Sequence, residues 1–468
     1  MPAEPVNRHR VWSIIGAVAL MNSPGAVVAQ EPSASQQDPV PDAPGDGAAA
    51  QDAAQMDDEA GGDTDQDVRF AMRTQTLLYG TFNTPRRASP FNPGNRFAAI
   101  SSDEINADLR VDLSASAGVC SATAKLRADY DYVLDADPQP RATDRSDVFL
   151  NAGTVRCEVA KGLFLSAGRE VLQWGNASFL SPSNPLFTDT GKTNPLSDLY
   201  GKDIAQLTWY ANEKLTLSVL HNQDIGSRDP DPLNFSPLTA VKLDWIGERT
   251  SGGAIVSRRH DGVSRLGLYG TYTYSDALLV YADVAVGRGH SGWFPQRDAA
   301  DGEWRFERTK LNDEIFHTGL LGGAYTFESG WSLTAEWLTG NEGYDRGERR
   351  DYLAAVTQAS SGLFSAPDAG RNARVLGMSL ANGLRYLGSD YVFLQLLRTE
   401  WNDKADVALR WTRSLGAGSG EALSASATYY VTPSMQMFFI GTRAGGGADS
   451  DFGRLIEDSA LVGLRWYF

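Results

Sequence analysis

Ser459-Ala460-Leu461-Val462-Gly463-Leu464-Arg465-Trp466-Tyr467-Phe468 are the last ten residues of the chain. Val462, Leu464, Trp466 and Phe468 fall on one face of this stretch. Gly463 and Arg465 fall on the other, with Tyr467 at the edge. A period of two is a strand signal. The tails of soluble domains are usually polar and mobile, whereas this one stops on an aromatic residue.

The same period recurs upstream. Ala124, Leu126, Ala128, Tyr130 and Tyr132 oppose Lys125, Arg127, Asp129 and Asp131. Ala107, Leu109, Val111, Leu113 and Ala115 oppose Asp108, Arg110, Asp112 and Ser114. Val241, Leu243 and Trp245 oppose Lys242 and Asp244. Leu423, Ala425, Ala427 and Tyr429 oppose Ser424, Ser426 and Thr428. Aliphatic residues on one face and charge on the other suit a wall between lipid and water.

Read this way, strands are expected near 69–80, 105–116, 119–133, 147–158, 162–172, 203–211, 214–222, 239–246, 253–260, 264–274, 277–287, 314–326, 331–339, 389–399, 404–414, 421–431, 434–444 and 458–468. The alternation is weakest at 239–246, 253–260 and 314–326. The expected fold is all-β: a single transmembrane antiparallel β-barrel over residues 68–468, of about 18 strands with 16 as the alternative. The connections support the count. Every second one is short, around Gly118, Lys161, Asn212-Glu213, Thr250-Ser251, Asp276, Ser329, Trp401–Lys404 and Thr432–Ser434. All the long ones fall in the other set: 81–104, 134–146, 173–202, 223–238, 288–313 and 340–388. Short inner turns alternating with long outer loops are what a barrel with both ends on the inner side requires. One missed strand flips the alternation beyond it. Trp209, Tyr210, Trp245, Trp331, Trp337, Trp401, Trp411, Trp466 and Tyr467 lie at or near strand ends, where interfacial aromatics sit.

Two segments precede the barrel. Arg8 and Arg10, the apolar run Val11 to Met21 and Val27-Val28-Ala29 read as a secretory signal peptide over 1–29. Residues 30–67 hold eleven Asp and Glu, no Lys or Arg and no aromatic residue, and read as a disordered acidic linker. Removing those eleven acids and the leader's net single positive charge from −16 leaves −6 for residues 68–468. The barrel itself is thus only mildly acidic. No other segment reaches the roughly 18 apolar residues a spanning helix needs. The mean hydropathy of −0.31 is compatible with strands whose inner faces are polar.

A barrel of this size is wide enough for an aqueous lumen unless something fills it. Its wall is expected to carry Asp108, Arg110, Asp112, Lys125, Arg127, Asp129, Asp131, Lys242, Asp244, Arg265, Asp283, Glu336, Asp406, Arg410 and Arg465. These charges either pair and stiffen the wall or set a transverse field that selects solutes. The loop 173–202 carries Trp174, Pro182, Asn184, Pro185 and Asn194-Pro195. Its prolines give it the rigidity to fold inward as a constriction or to stand as an ordered surface loop. The loop 340–388, with Ala354 to Ser360, reads as a short helix or a mobile lid. Cys120 and Cys157 lie symmetrically about the 134–146 connection, so an antiparallel pair sets them opposite each other. An exported chain with two cysteines suggests one disulfide there.

Catalysis finds little support. His221, His260, His290 and His317 have no metal-ligand spacing, and His260-Asp261 is the sole acid–histidine dipeptide. No cofactor or metal is expected, and no basic nucleic-acid stripe is present. A plugged transporter needs a folded domain ahead of the barrel, where only the linker stands.

The terminal Trp466 and Phe468 resemble the C-terminal signature of bacterial outer-membrane β-barrels. That signature implies recognition by the outer-membrane assembly machinery. The overall plan of charged lumen, long outer loops and terminal Phe468 resembles large single-chain outer-membrane channels, above all the eighteen-strand alginate-export type. The resemblance implies the bacterial outer membrane as location, its lipid and lipopolysaccharide as surroundings, and passive outward passage of an acidic polysaccharide. An uptake porin for small hydrophilic solutes fits the residues equally. A non-conducting structural or adhesive barrel requires a blocked lumen, and a barrel hydrolase requires a triad.

Overall fold

The computed structural model describes residues 68–134, 144–193, 196, 198–224, 235–290, 292–299, 302–308, 314–365, 367–384, 386–416, 420–447 and 450–468. The expected leader and linker lie outside them. So do the loop midpoints 135–143 and 225–234, and Asn194-Pro195.

Eighteen strands pair in chain order. They are β1 (Arg69–Pro85), β2 (Asp103–Ala117), β3 (Cys120–Val133), β4 (Asp144–Ala160), β5 (Leu163–Glu170), β6 (Lys202–Asn212), β7 (Leu215–Asp224), β8 (Leu238–Ile246), β9 (Thr250–Arg259), β10 (Ser264–Ser275), β11 (Leu278–Arg288), β14 (Ile315–Thr326), β15 (Trp331–Gly340), β16 (Asp390–Trp401), β17 (Ala405–Ser414), β18 (Gly420–Thr432), β19 (Met435–Gly446) and β20 (Ile456–Tyr467). A separate hairpin, β12 (Phe294–Arg297) and β13 (Trp304–Glu307), sits in the connection after β11. Each barrel strand is antiparallel to its neighbours, and β20 returns to pair with β1. At that closure Thr74 N–H donates to the Phe468 carbonyl at 3.3 Å, and Phe468 N–H donates back to Thr74 at 2.9 Å. The sheet therefore has no edge, the condition for strands to cross hydrocarbon.

The outward face is apolar along every strand. Leu109, Leu126, Val241, Leu243, Val256, Leu268, Leu321, Leu423 and Phe439 are all exposed there. Between them, inward, stand Arg127, Lys242, Asp244, Asp283, Glu336 and Arg465, all buried. No helix among the described residues is long and apolar enough to cross a membrane. The crossing is made by strands of 8 to 17 residues, and about 9–11 suffice when they are tilted. Trp209, Trp245, Trp337 and Trp401 are exposed on the outer surface. Tyr467 departs from the rim reading, because it alternates with Trp466 and so turns inward. Its hydroxyl lies 3.4 Å from Gln436.

The strands with the weakest alternation have a physical reason for it. Leu238 and Ala240 of β8, Ile255 of β9, and Phe316 and Leu320 of β14 face inward and are buried. Both faces of these strands are partly apolar, so the period of two fades.

Connections at one rim are turns of two to four residues, as at Gly118-Val119, where Gly118 adopts φ +56°. At the opposite rim the long loops build a cap. The 340–388 loop is more than a short helix or a mobile lid. It folds as α1 (Arg346–Gly362) and α2 (Ala369–Leu380). Asp345 and Glu348 form a reciprocal capping box at the start of α1. Phe91, Ile100, Phe294, Phe306, Tyr352, Leu376 and Leu455 meet in one core, joining α1 and α2 to the β12–β13 hairpin and to the loops after β1 and β19.

Cys120 opens β3 and Cys157 stands opposite it on β4. Their sulfurs are bonded, with Cα atoms 4.0 Å apart, at the short-turn rim.

Candidate functional site in the barrel lumen

The connection between β5 and β6, residues 171–201, does not stay outside. Trp174, Phe179, Leu180, Leu186 and Phe187 are too apolar to remain in water, and the lumen receives them. Trp174, Leu186 and Phe187 pack against Ile204, Leu220, Leu238 and Tyr269. Phe179 stacks on Phe393 and Tyr386, with ring centroids 5.4 and 5.2 Å apart. Asn184 knits the loop to itself. Its Nδ2 donates to the Leu172 carbonyl at 2.9 Å, and its Oδ1 accepts from Leu186 N–H and Phe187 N–H. Pro182 and Pro185 flank it and line the cavity described below. Gly267 of β10 lets the loop lie flat on the wall, since a Cβ there meets the Ser183 carbonyl at 2.6 Å.

Lumen charges hold this loop at two opposite walls. On one side Glu336 accepts from the backbone N–H groups of Ser178 (2.6 Å) and Phe179 (2.7 Å), and from the Tyr281 hydroxyl. Asp283 accepts from Ser183 N–H at 2.6 Å and the Ser181 hydroxyl at 2.7 Å. On the other side Asp198 of the loop meets Arg127 Nε at 2.6 Å and Arg110 at 3.5 Å. Arg110 also donates to the Leu196 carbonyl. Arg110 on β2 and Asp283 on β11 are nine strands apart, halfway round eighteen. The loop thus crosses the lumen.

Other expected lumen residues are partnered locally. Arg127 bonds Asp112 at 2.7 Å and Arg110 faces Asp108 at 3.4 Å. Lys242 bonds Asp244 at 3.1 Å and sits 4.7 Å from the Trp174 ring. Asp406 takes the Glu400 N–H at 2.8 Å and the Tyr430 hydroxyl near the inner rim. Arg465 lies 3.4 Å from Gln436 and close to the Phe438 ring. Asp131 pairs with Arg145 at 3.0 Å. Lys125 is exposed to the lumen, and Asp129 is half-buried beside Asp108 in register. Arg410 is buried with Gln395 (2.7 Å) and Ser426 (3.4 Å) as its hydrogen-bond partners.

Above the loop lies a cavity of about 290 Å³. Lys202, Arg259, Arg265, His290, Glu342 and Tyr386 are among its walls, with apolar Leu180, Leu186 and Leu338. Glu342 takes Arg265 and the Thr318 hydroxyl, the latter at 2.8 Å. Arg259 bonds Asp261 at 2.8 Å, and Asp261 also takes Arg308 at 2.7 Å. His290 accepts Gly292 N–H at Nδ1 (2.7 Å), which leaves Nε2 to donate to the Glu342 carbonyl (2.8 Å). Of the residues expected from sequence only Arg265, Pro182 and Pro185 border this cavity. Arg259 was hidden because Arg258, Arg259 and His260 are polar on both faces. Among the described residues no three His, Cys, Asp or Glu come together to hold a metal.

Two carboxylates of the loops have lowered pKa values. Burial pushes Asp198 up, but Arg110 and Arg127 more than offset it. Burial also pushes Asp261 up, and Arg308 and Arg259 win. A depressed carboxylate stabilises above its ordinary value and loses that contribution as pH falls through its folded value. The return limb of the loop is therefore expected to loosen in acid, below about pH 4. Single-channel current noise at pH 3 against pH 7 measures this, and Asp198→Asn is expected to show the acid behaviour at pH 7. Equal noise at both pH values counts against the anchor.

No family model and no curated protein matches the chain. Among solved structures it is similar to the outer membrane protein OprD from Pseudomonas aeruginosa. The identity is 12% and the TM-score 0.48, over 85% of this chain and 94% of that one. Pseudomonas aeruginosa OccK11 (OpdR) gives 10% and 0.49, over 85% and 95%. Pseudomonas aeruginosa OpdK with vanillate gives 10% and 0.49, over 85% and 98%. The eighteen-strand ladder, its closure and its apolar belt are this chain's own. They make it a β-barrel of the outer-membrane type.

Proposed function

We propose that this barrel is a passive channel of the bacterial outer membrane for small hydrophilic solutes, with a preference for anions. The observation that carries the reading is the loop 171–201, held across the lumen beneath a cavity walled by Lys202, Arg259 and Arg265, with Glu342 bonding Arg265 and Asp261 bonding both Arg259 and Arg308. A loop pinned at opposite walls narrows a pore without a separate plug domain. The excess of cations above it concentrates anions at the entrance. A cavity of about 290 Å³ is at the lower end of the range for small-molecule sites. It suits a small carboxylate better than a polymer chain. Outward passage of an acidic polysaccharide requires both the loop and the cap to move aside.

Planar-bilayer recording tests this. Stepwise conductance with anion-favouring reversal potentials is expected. Arg259→Glu with Arg265→Glu is expected to shift the preference toward cations. Succinate or benzoate added from the cap side is expected to reduce the current, and an acidic polysaccharide to leave it unchanged. Protein that inserts but never conducts defeats the channel reading. Block by the polymer alone favours export.

A further inference from the structure

We propose that the outer end of β4 takes an extended segment of a basic polypeptide, arriving from outside the cell, as one added strand. The ladder is closed through the membrane but not above it. β5 holds 8 residues, and its pairing with β4 stops at Gly153. β4 holds 17 residues and runs on past that point to Asp144. Over this outer stretch β3 is its one strand partner among the described residues. The cause is the loop 171–201, which leaves the wall after Glu170 to enter the lumen and so ends β5 early. About 9–11 residues of a tilted strand cross the hydrocarbon. Counted from Ala160 at the short-turn rim, the crossing ends near Leu150, and Asp144 to Phe149 stand beyond it. Asp144, Arg145, Ser146, Asp147 and Val148 are all exposed, Val148 at 75%.

Ladder parity fixes which backbone groups this edge presents. Glu158 N–H donates to the Val119 carbonyl at 2.9 Å, so the odd-numbered residues of β3 bond β4. The bulge at Asn151 then sets Phe149, Asp147 and Arg145 opposite Arg127, Asp129 and Asp131. Those three residues of β4 bond β3, and the N–H and C=O groups of Ser146 and Val148 point the other way. The Leu150 carbonyl on that side takes Arg169 Nη1 at 3.1 Å, and the Asn151 carbonyl takes Gly201 N–H at 3.1 Å. These two bonds close the lower end of the edge. Above them it is a template for one more strand, about 4.8 Å away. Charge selects the occupant. The outer ends of β2, β3 and β4 carry Asp103, Glu104, Asp129, Asp131, Asp144 and Asp147 against Arg145. That excess favours a cationic segment. A second copy of the barrel does not fit. Two barrels in one membrane are related by rotation about the membrane normal, which leaves both β4 strands running the same way. Their edges then form no antiparallel pair, and the acids of one copy face those of the other.

Strand addition of this kind requires the crossing strands and not conduction. The test uses the full mature chain in lipid nanodiscs, with folding checked by heat-modifiable migration on gels. The probe is a labelled octapeptide that alternates lysine with valine and threonine. Fluorescence anisotropy measures its binding, and hydrogen exchange reads the amides of Ser146 and Val148. The wild type is expected to bind this peptide, to reject its glutamate counterpart, and to slow exchange at both amides. Val148→Pro removes an edge-facing N–H and leaves the bonds to β3 in place, a site where proline is tolerated. It is expected to weaken binding about tenfold or more. Asp144→Asn with Asp147→Asn is expected to weaken it about threefold and to flatten its salt dependence. A lysine peptide N-methylated at alternate residues keeps its charge but cannot build a ladder, and is expected not to bind. Equal binding of the methylated peptide, no loss in Val148→Pro, or unprotected Ser146 and Val148 amides each overturns the proposal. A barrel oligomer that Val148→Pro dissociates also overturns it, because the edge is then covered by a second copy.

Discussion

Glu336→Ala combined with Asp283→Ala is expected to raise single-channel conductance and to make the open current noisy. The two carboxylates take the N–H groups of Ser178, Phe179 and Ser183 and the hydroxyls of Ser181 and Tyr281. Of these groups Phe179, Ser181, Ser183 and Tyr281 are buried and Ser178 is half-buried. Each donor left without an acceptor in such a place costs about 1–3 kcal/mol. With several donors stranded at once, the docked loop loses its advantage over a displaced one. Part of the loss is offset, because the variant no longer buries two carboxylates. Glu336→Gln is the control. It keeps one acceptor oxygen and the shape of the side chain, so its effect is expected to be smaller than that of Glu336→Ala. The double variant is also expected to admit larger uncharged polymers in solute-exclusion measurements. Unchanged conductance and exclusion limit in a folded double variant remove the loop from the permeation path.

Leu243→Arg is expected to destabilise the barrel by about 2–4 kcal/mol, the cost of an arginine on the lipid face near mid-depth. Leu243 lies on the outward face of β8 between Leu217 and Ala254, in an aliphatic row that continues through Leu268 and Val284. Its neighbour Lys242 already carries a charge one residue away, buried inside against Asp244. The contrast between adjacent positions is the point of the experiment. Reversible urea unfolding in lipid vesicles gives the difference directly. A soluble sheet tolerates an exposed arginine with a change within about 0.5 kcal/mol, so a neutral result contradicts the membrane crossing.

The crossing strands were legible because the pattern they obey is local. Two residues decide which side a third is on, and the alternation of short and long connections checks the strand count without knowledge of any contact. The cap was only partly legible. Asp345 and Glu348 announce a helix start, yet the residues after them, Ala354 to Ser360, are small and weakly periodic. What makes α1 a helix of 17 residues is its packing on Phe91, Phe306 and Leu376 from three distant segments. The lumen charges are legible as a set, but what they face is not. Nothing near Glu336 or Asp283 in sequence indicates that each faces backbone N–H groups of a loop more than ninety residues away. The same holds for Asp198, which carries the return limb and has no local pattern to mark it. Arg259 was illegible for another reason. Gly252 and Gly253 blank the alternation at the start of β9, and consecutive Arg258 and Arg259 leave the parity of its end open.

The reciprocal bonds between Thr74 and Phe468 form a seam, and a seam has a timing consequence. The first and final strands of the cylinder are joined to each other, so neither has its second partner until the other arrives. Until then β1 and β19 each present an open row of amides and carbonyls, which hydrocarbon does not tolerate. Insertion is therefore expected to be nearly all-or-none in the length of chain delivered. A nascent product lacking β20 is short by one strand in eighteen, yet it has both margins unsealed.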